Sequence, residues 1–208
     1  MKKFVAGANL TPGCLLLDLS AGLGGCNRAL SVEFDALVEG LEMNAEIAKM
    51  GAIMAKTVAL QKQAPVDHFL RHNPALRVNR CECVYGHEAF YRVLDKKMLI
   101  AEIWKSLKDD TFFIFTDLVF SEPSSENTEQ VQNWAKSEEE MCNPWTMEEY
   151  KEELAGQGFE IVAFEDETSR YKDMVKEGWE NFAESLDDMK IDRRFVDVVM
   201  HEAEGWQQ

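Results

Sequence analysis

The apolar run Leu15–Leu19 carries an acid, Asp18, near its end and breaks at once into a turn of small residues: Ser20, Ala21, Gly22, Gly24 and Gly25. A second apolar run, Ala36–Leu41, is closed by Glu42, twenty residues beyond Gly22. A parallel strand that turns sharply into a helix needs small residues there, and glycines let the backbone pass close to a ligand with no Cβ in the way. Glu42, at the carboxyl end of the second strand, is placed to accept hydrogen bonds from both hydroxyls of a ribose. The segment reads as a nucleoside-binding β-α-β unit.

The turn chemistry separates two kinds of nucleoside binder. A dinucleotide site uses G-x-G-x-x-G so that a pyrophosphate rests on the helix N-terminus. Here the order is Asp18-x-Ser20-Ala21-Gly22-x-Gly24-Gly25, and an acid just before the turn repels a pyrophosphate but suits the ammonium of an amino-acid moiety. This pattern resembles motif I of class I S-adenosylmethionine-dependent methyltransferases, D-x-G-x-G-x-G, with Ser20 standing where the motif has its first glycine. A nicotinamide-dependent oxidoreductase is disfavoured by Asp18 and by the absence of a Tyr-x-x-x-Lys pair near a plausible active site.

Strand and helix patterns alternate in the manner of a doubly wound sheet. Strands are predicted at Leu15–Leu19, Ala36–Leu41, Ala64–Phe69, Cys81–Tyr85 and Thr111–Val119, the last a continuous apolar run expected to lie centrally. Helices are predicted at Asn27–Phe34, from Ala45 to Gln63 and from Asp95 to Leu107. After a turn-rich linker, Ser121–Asn127, an exposed helix is expected over Thr128–Met141. Thr146-x-x-Glu149 then forms a capping box for a helix ending near Gly156. A sixth strand is predicted at Gly158–Glu165, followed by helix to Leu186 and again over Asp192–Glu204. The expected fold is α/β: a Rossmann-like, mainly parallel sheet in the order 3-2-1-4-5, with the sixth strand beyond the fifth and no seventh. Residues 1–208 are expected to form one domain, with 121–146 a lid-like insertion and 168–208 a helical segment.

The resemblance extends along the chain. Tyr85–Phe90, Val93–Lys97, Ile103–Lys108, Thr116-Asp117, Trp145–Tyr150 and Gly156–Phe159 are similar, in this order, to blocks of the small-molecule methyltransferases. That group includes glycine, sarcosine and dimethylglycine N-methyltransferases and phosphoethanolamine methyltransferases. The resemblance implies S-adenosyl-L-methionine as cofactor. Asp18, Ser20, Ala21, Gly22 and Gly24 would hold its amino-acid part, Glu42 the ribose, and Met43 the adenine, with Gly86 lining the methyl region. It also implies His87 as base and Glu88 as the group orienting a cation, with Trp145, Asp117 and Tyr91 facing a small-molecule acceptor such as a cationic amine. His87 also reads as a polar loop residue that merely lines the site. There are departures: only 14 residues precede the first strand, the third strand ends in Phe69-Leu70-Arg71 rather than an acid, and Lys108-Asp109-Asp110 replaces the usual Pro-Gly-Gly. They leave a second reading open, a cofactor-binding protein without transferase activity.

Composition narrows the partners. The net charge is −16, and residues 121–190 alone hold 6 bases and 20 acids. Phosphate backbones need a basic face, so nucleic acid is not an expected partner. The acidic segment suits a cationic substrate, or is simply a solvated surface. No apolar run is long enough to span a bilayer, and Asn9 and Pro12 interrupt the N-terminal run too early for a secretory core. Five unevenly spaced cysteines read as buried thiols of a reducing compartment. A cytoplasmic location is expected, and homo-oligomer formation is allowed. Cys26, at the helix start, occupies a place that lowers a thiol's pKa, though packing is its plainer role. His68 and His72 lack a third ligand, so no metal is expected. Trp134, Trp145, Trp179 and Trp206 read as packing residues or as parts of an aromatic cage.

Overall fold

The computed structural model describes residues 5–8, 10–69, 76–122, 128–138, 142–188, 194 and 196–197. The chain divides into two compact units, Met1–Ile161 and Val162–Gln208. In the first, five strands form one sheet in the order β3-β2-β1-β4-β5: β1 Leu15–Asp18, β2 Leu37–Glu42, β3 Val66–His68, β4 Cys81–His87 and β5 Leu107–Thr116. Every neighbouring pair is parallel, so all carboxyl ends lie along one edge of the sheet. The helices of this unit are α1 Gly25–Phe34, α2 Ala45–Thr57, α3 Lys96–Ser106, α4 Glu129–Ser137 and α5 Met147–Gln157.

Strand periodicity sorts the side chains onto two faces. Leu16 is in register with Cys83, and Cys83 with Phe112. On that face Leu30 of α1 and the N-terminal Val5 and Ala8 join Leu16, Val38, Cys83 and Tyr85 in a core against which Phe112 and Ile114 pack. On the opposite face Phe113 and Phe115 stack with centroids 4.7 Å apart, and Phe90 meets both edge-on at 5.7 and 5.1 Å. Tyr150 of α5 lies 5.2 Å from Phe115. Leu99, Ile100 and Ile103 of α3 are buried.

Packing dictates Gly24 and Gly40. At Gly24, which caps α1 with φ 72°, a Cβ would stand 2.6 Å from Val66 Cγ2. At Gly40 in β2 it would stand 2.2 Å from Asn27 Nδ2. Side chains cap the starts of α2, α3 and α5. Asn44 accepts from the backbone of Glu46 and Ile47, Asp95 accepts from Met98 N, and Thr146 with Glu149 completes the capping box.

Three expectations are corrected. Among the described residues no strand forms over 158–165. Gly158, left-handed at φ 101°, ends α5, and Phe159 then packs its ring on Trp104 and Phe113 at 4.8 and 5.8 Å instead of pairing its backbone. Consequently β5, expected to be central, is an edge strand of the described sheet, and its residues are partly exposed throughout. Third, β5 begins four residues early, directly after α3, with Asp110 at a positive φ of 57° where a Pro-Gly-Gly turn was the precedent.

In the second unit α6, Thr168–Asp188, starts where Asp166 accepts from the backbone N–H and hydroxyl of Thr168. Trp179 and Phe182 meet at 6.1 Å on its apolar face. The predicted helix over 192–204, Trp206 and His72 fall almost wholly outside the described residues.

Candidate functional site

Parallel pairing brings the ends of β1, β2, β4 and β5 together, with Asp18 opposite both Gly40 and Tyr85 and His87 opposite Thr116. The small-residue turn leaves β1 between these ends. Ala21 N donates to Leu41 O at 3.2 Å and Gly24 N to Ala21 O at 2.7 Å, closing the turn into α1. Nothing lies within 4 Å of where a Cβ on Gly22 would be, so the turn faces open space there.

Glu42 clasps this turn. Its Oε2 accepts from Gly22 N at 2.8 Å and its Oε1 from Asn44 N at 2.8 Å. Each carboxylate oxygen has two acceptor sites, so the pair of bonds orients the carboxylate without saturating it. Met43 follows, and its carbonyl lies 3.1 Å from His68 Nε2.

Asp18 is 1 % exposed. Its Oδ1 accepts from both the backbone N–H and the hydroxyl of Ser20, at 2.8 and 2.9 Å. Burial pushes this carboxyl up to about 6, partly offset by the Ser20 bonds. The Tyr85 ring, fully buried, places its hydroxyl beside Asp18, and desolvation followed by the carboxylate's charge drives that phenol far upward. The Ser20 hydroxyl also accepts from His87 N at 2.8 Å, so it reaches across from the β1 turn to the tip of β4.

At that tip His87 Nδ1 lies 3.2 Å from Thr116 Oγ1 and 3.3 Å from Glu88 Oε1. Glu88 has φ 51°, and its N–H donates to Thr116 O at 2.8 Å. A non-glycine residue in the left-handed region costs energy, and here that hydrogen bond keeps it in place. Gly86 is explained by packing: a Cβ there would meet the Phe90 ring at 2.7 Å.

The three residues expected to face an acceptor form a neighbouring cluster. Asp117 follows Thr116, and its carboxylate accepts from Tyr91 N at 2.9 Å and from the Tyr150 hydroxyl at 2.6 Å. Burial pushes it up to about 6, against those two bonds and the Lys96 charge. Tyr91 is buried and lies 5.8 Å from Trp134. Trp145 sits 5.2 Å from Tyr150, with the Lys96 ammonium 5.3 Å over its ring.

Several residues of this neighbourhood escaped sequence reasoning. Lys96 is 1 % exposed, donates to the carbonyls of Val93 and Asn143, and is lowered to about 8 by burial; nothing in Asp95–Lys97 distinguishes it from its exposed neighbours. Asn27 is wholly buried with both amide atoms unpartnered. The spacing of Asn27, Leu30 and Ser31, three and four apart, is the signal that marks it as inward-facing. Cys26 is exposed, and partial desolvation and the Asp18 charge raise its thiol rather than lowering it. Among the described residues no cluster of three His, Cys, Asp or Glu is placed to hold a metal, and no helix is long and apolar enough to cross a membrane.

The sheet order is that of the Rossmann-like fold found in class I methyltransferases, with an open turn after β1 and a carboxylate at the end of β2. The chain superposes on phosphoethanolamine N-methyltransferase 2 of Haemonchus contortus, solved with phosphomonomethylethanolamine and S-adenosylhomocysteine. The TM-score is 0.85 and the identity 16 %, over 98 % of this chain and 47 % of that one. It also superposes on a putative sarcosine dimethylglycine methyltransferase from Galdieria sulphuraria, with TM-score 0.76 and 16 % identity over 98 % of this chain and 76 % of that one. In sequence it is 25 % identical over 178 residues to phosphoethanolamine N-methyltransferase 1 of Arabidopsis thaliana, covering 84 % of this chain and 34 % of the relative. It thus spans about a third of that relative and just under half of the Haemonchus protein. No protein-family model matches it.

Proposed function

We propose that this chain binds S-adenosyl-L-methionine and directs its methyl group to a small-molecule acceptor, an amine. The observation that carries the reading is Glu42, held by Gly22 and Asn44 at the end of β2 beside an open glycine turn. The likeness to small-molecule methyltransferases in sequence and fold supports it.

Under this reading Glu42 accepts from the two ribose hydroxyls and Met43 packs on the adenine. The Ser20–Gly24 turn and Asp18 receive the amino-acid end, where an ammonium offsets the cost of ionising a buried carboxylate. When bound, the cofactor supplies a methyl already activated by its sulfonium, so the protein's work is to align the acceptor and exclude water. An amine attacks only when neutral. His87, oriented by Thr116 and Glu88, takes the acceptor's proton, and Glu88 draws a cationic acceptor toward it. Residues 121–146, with Trp145 near their end, serve as the lid, and Tyr91 and Asp117 shape the wall beneath it.

Calorimetry with S-adenosylhomocysteine tests the reading. Wild-type protein is expected to bind and to gain melting temperature by mass action. Glu42→Ala is expected to lose about 1–3 kcal/mol of binding through the missing charge-assisted bonds. Binding of NAD in its place would overturn the proposal. Firm S-adenosylhomocysteine binding with no turnover of any amine would favour a non-catalytic cofactor binder.

A further inference from the structure

We infer that Ser20 is a positioning residue that couples the cofactor turn to the tip of β4, so that one hydroxyl sets the placement of His87 and Glu88; the inference rests on the cofactor reading above. The hydroxyl donates to Asp18 Oδ1 at 2.9 Å and accepts from His87 N at 2.8 Å. The two partners are 69 residues apart in the chain and belong to different strands. Ser20 occupies the position where the resembled motif has its first glycine, and glycine can make neither side-chain bond. The turn therefore does not need this side chain to form: Asp18 still receives the backbone N–H of residue 20, and Ala21 and Gly24 close the turn through the backbone.

What the hydroxyl adds lies on the β4 side. Past the ladder, His87 is bound through its N–H by Ser20 and through its ring by Thr116 and Glu88. Glu88, in the left-handed region, is bound through its N–H by Thr116. Of these ties only the Ser20 bond comes from the turn that would carry the cofactor's amino-acid end. A ligand that orders the turn thus orders the β4 tip through Ser20, and a chain with glycine there lacks this route.

The test follows individual amides by NMR exchange in wild type and in Ser20→Ala, Ser20→Gly and Ser20→Thr, with and without S-adenosylhomocysteine. Without ligand, the His87 amide is expected to exchange about tenfold faster in the alanine and glycine variants, while the amides of β1 and β2 keep their rates. With each protein saturated at a ligand concentration set from its own calorimetric affinity, wild type is expected to gain about tenfold protection at His87, and the two variants less than about threefold. Ser20→Thr, which keeps the hydroxyl, is expected to restore the wild-type pattern; a general loss of folding would not be rescued selectively at His87. Equal His87 protection in Ser20→Gly and wild type, both binding the ligand, overturns the coupling while leaving the cofactor reading intact. Wild type that does not bind S-adenosylhomocysteine overturns both.

Discussion

Asp18 and Asp117 each ionise at a cost, because burial lifts both carboxyls to about 6 from the 3.8 of an ordinary aspartate. The sign of the consequence follows from proton counting. Between those values the folded chain binds more protons than the unfolded one, so stability falls as pH rises through roughly 4 to 6 and is flat above. Each group is expected to contribute about 1–3 kcal/mol to that fall. Urea unfolding at pH 5 and pH 7 checks this: wild type is expected to lose stability between the two, and Asp117→Asn, isosteric, with its amide oxygen accepting from Tyr91 N–H and its NH2 donating to the Tyr150 hydroxyl oxygen in place of the bond now accepted there, to lose less. An identical loss in the variant would show that Asp117 is ionised at little cost. Asp18 differs in that the proposed ammonium would favour its charged form, so S-adenosylhomocysteine affinity is expected to weaken below about pH 6.

At the scale of elements, local caps and close packing set the site's frame. Thr146 caps α5 with a full reciprocal box to Glu149, and a single parallel bridge joins Thr146 to Phe120 just after β5. Thr146→Ala is expected to cost about 1 kcal/mol, read by chemical denaturation. Gly40 is more demanding, because Asn27 Nδ2 and Ala21 Cβ would lie 2.2 and 2.8 Å from an added Cβ. Gly40→Ala is expected to destabilise the protein by about 1–3 kcal/mol through overpacking, and to displace the turn that Ala21 belongs to. Weakened S-adenosylhomocysteine binding in a variant that still folds would separate that displacement from simple loss of stability.

At the scale of the whole molecule, Trp134, Glu138 and Asn143 of the 121–146 segment are fastened to the loop that follows the β4 tip. Arg92 pairs with Glu138 at 2.6 Å, Tyr91 lies against Trp134, and Asn143 is held by the Tyr91 carbonyl, by its own bonds to Val93 and Leu94, and by Lys96. Trp134 and Asn143 thus lie against Tyr91, one of the residues proposed to shape the acceptor's wall. With an amine acceptor in hand, Trp145→Ala is expected to raise its KM while leaving cofactor affinity nearly unchanged. His87→Ala is expected instead to lower kcat, with the deficit shrinking at high pH, where the amine is already neutral. Turnover indifferent to both changes would place the acceptor elsewhere.

The pattern from Leu15 to Glu42 sufficed for β1, α1, β2 and the turn, because strand and helix periods, a small-residue turn and a terminal acid are local properties of consecutive residues. The same holds for the capping box at Thr146, whereas the strand order followed from the family resemblance and from the right-handed crossovers that parallel strands take. Other features depended on contacts between distant segments. Gly86 is small because of Phe90, and Asp117 is engaged by Tyr91 and Tyr150. Phe159 spends its side chain on Trp104 and Phe113, leaving β5 at the edge. Lys96 is buried, with nothing near it in sequence to mark it, because the carbonyl of Asn143, 47 residues away, comes to meet it. Sequence determined which residues reach the carboxyl edge of the sheet; tertiary structure decided which of them touch, because a side chain's partner across the fold is set by packing and not by its neighbours in the chain.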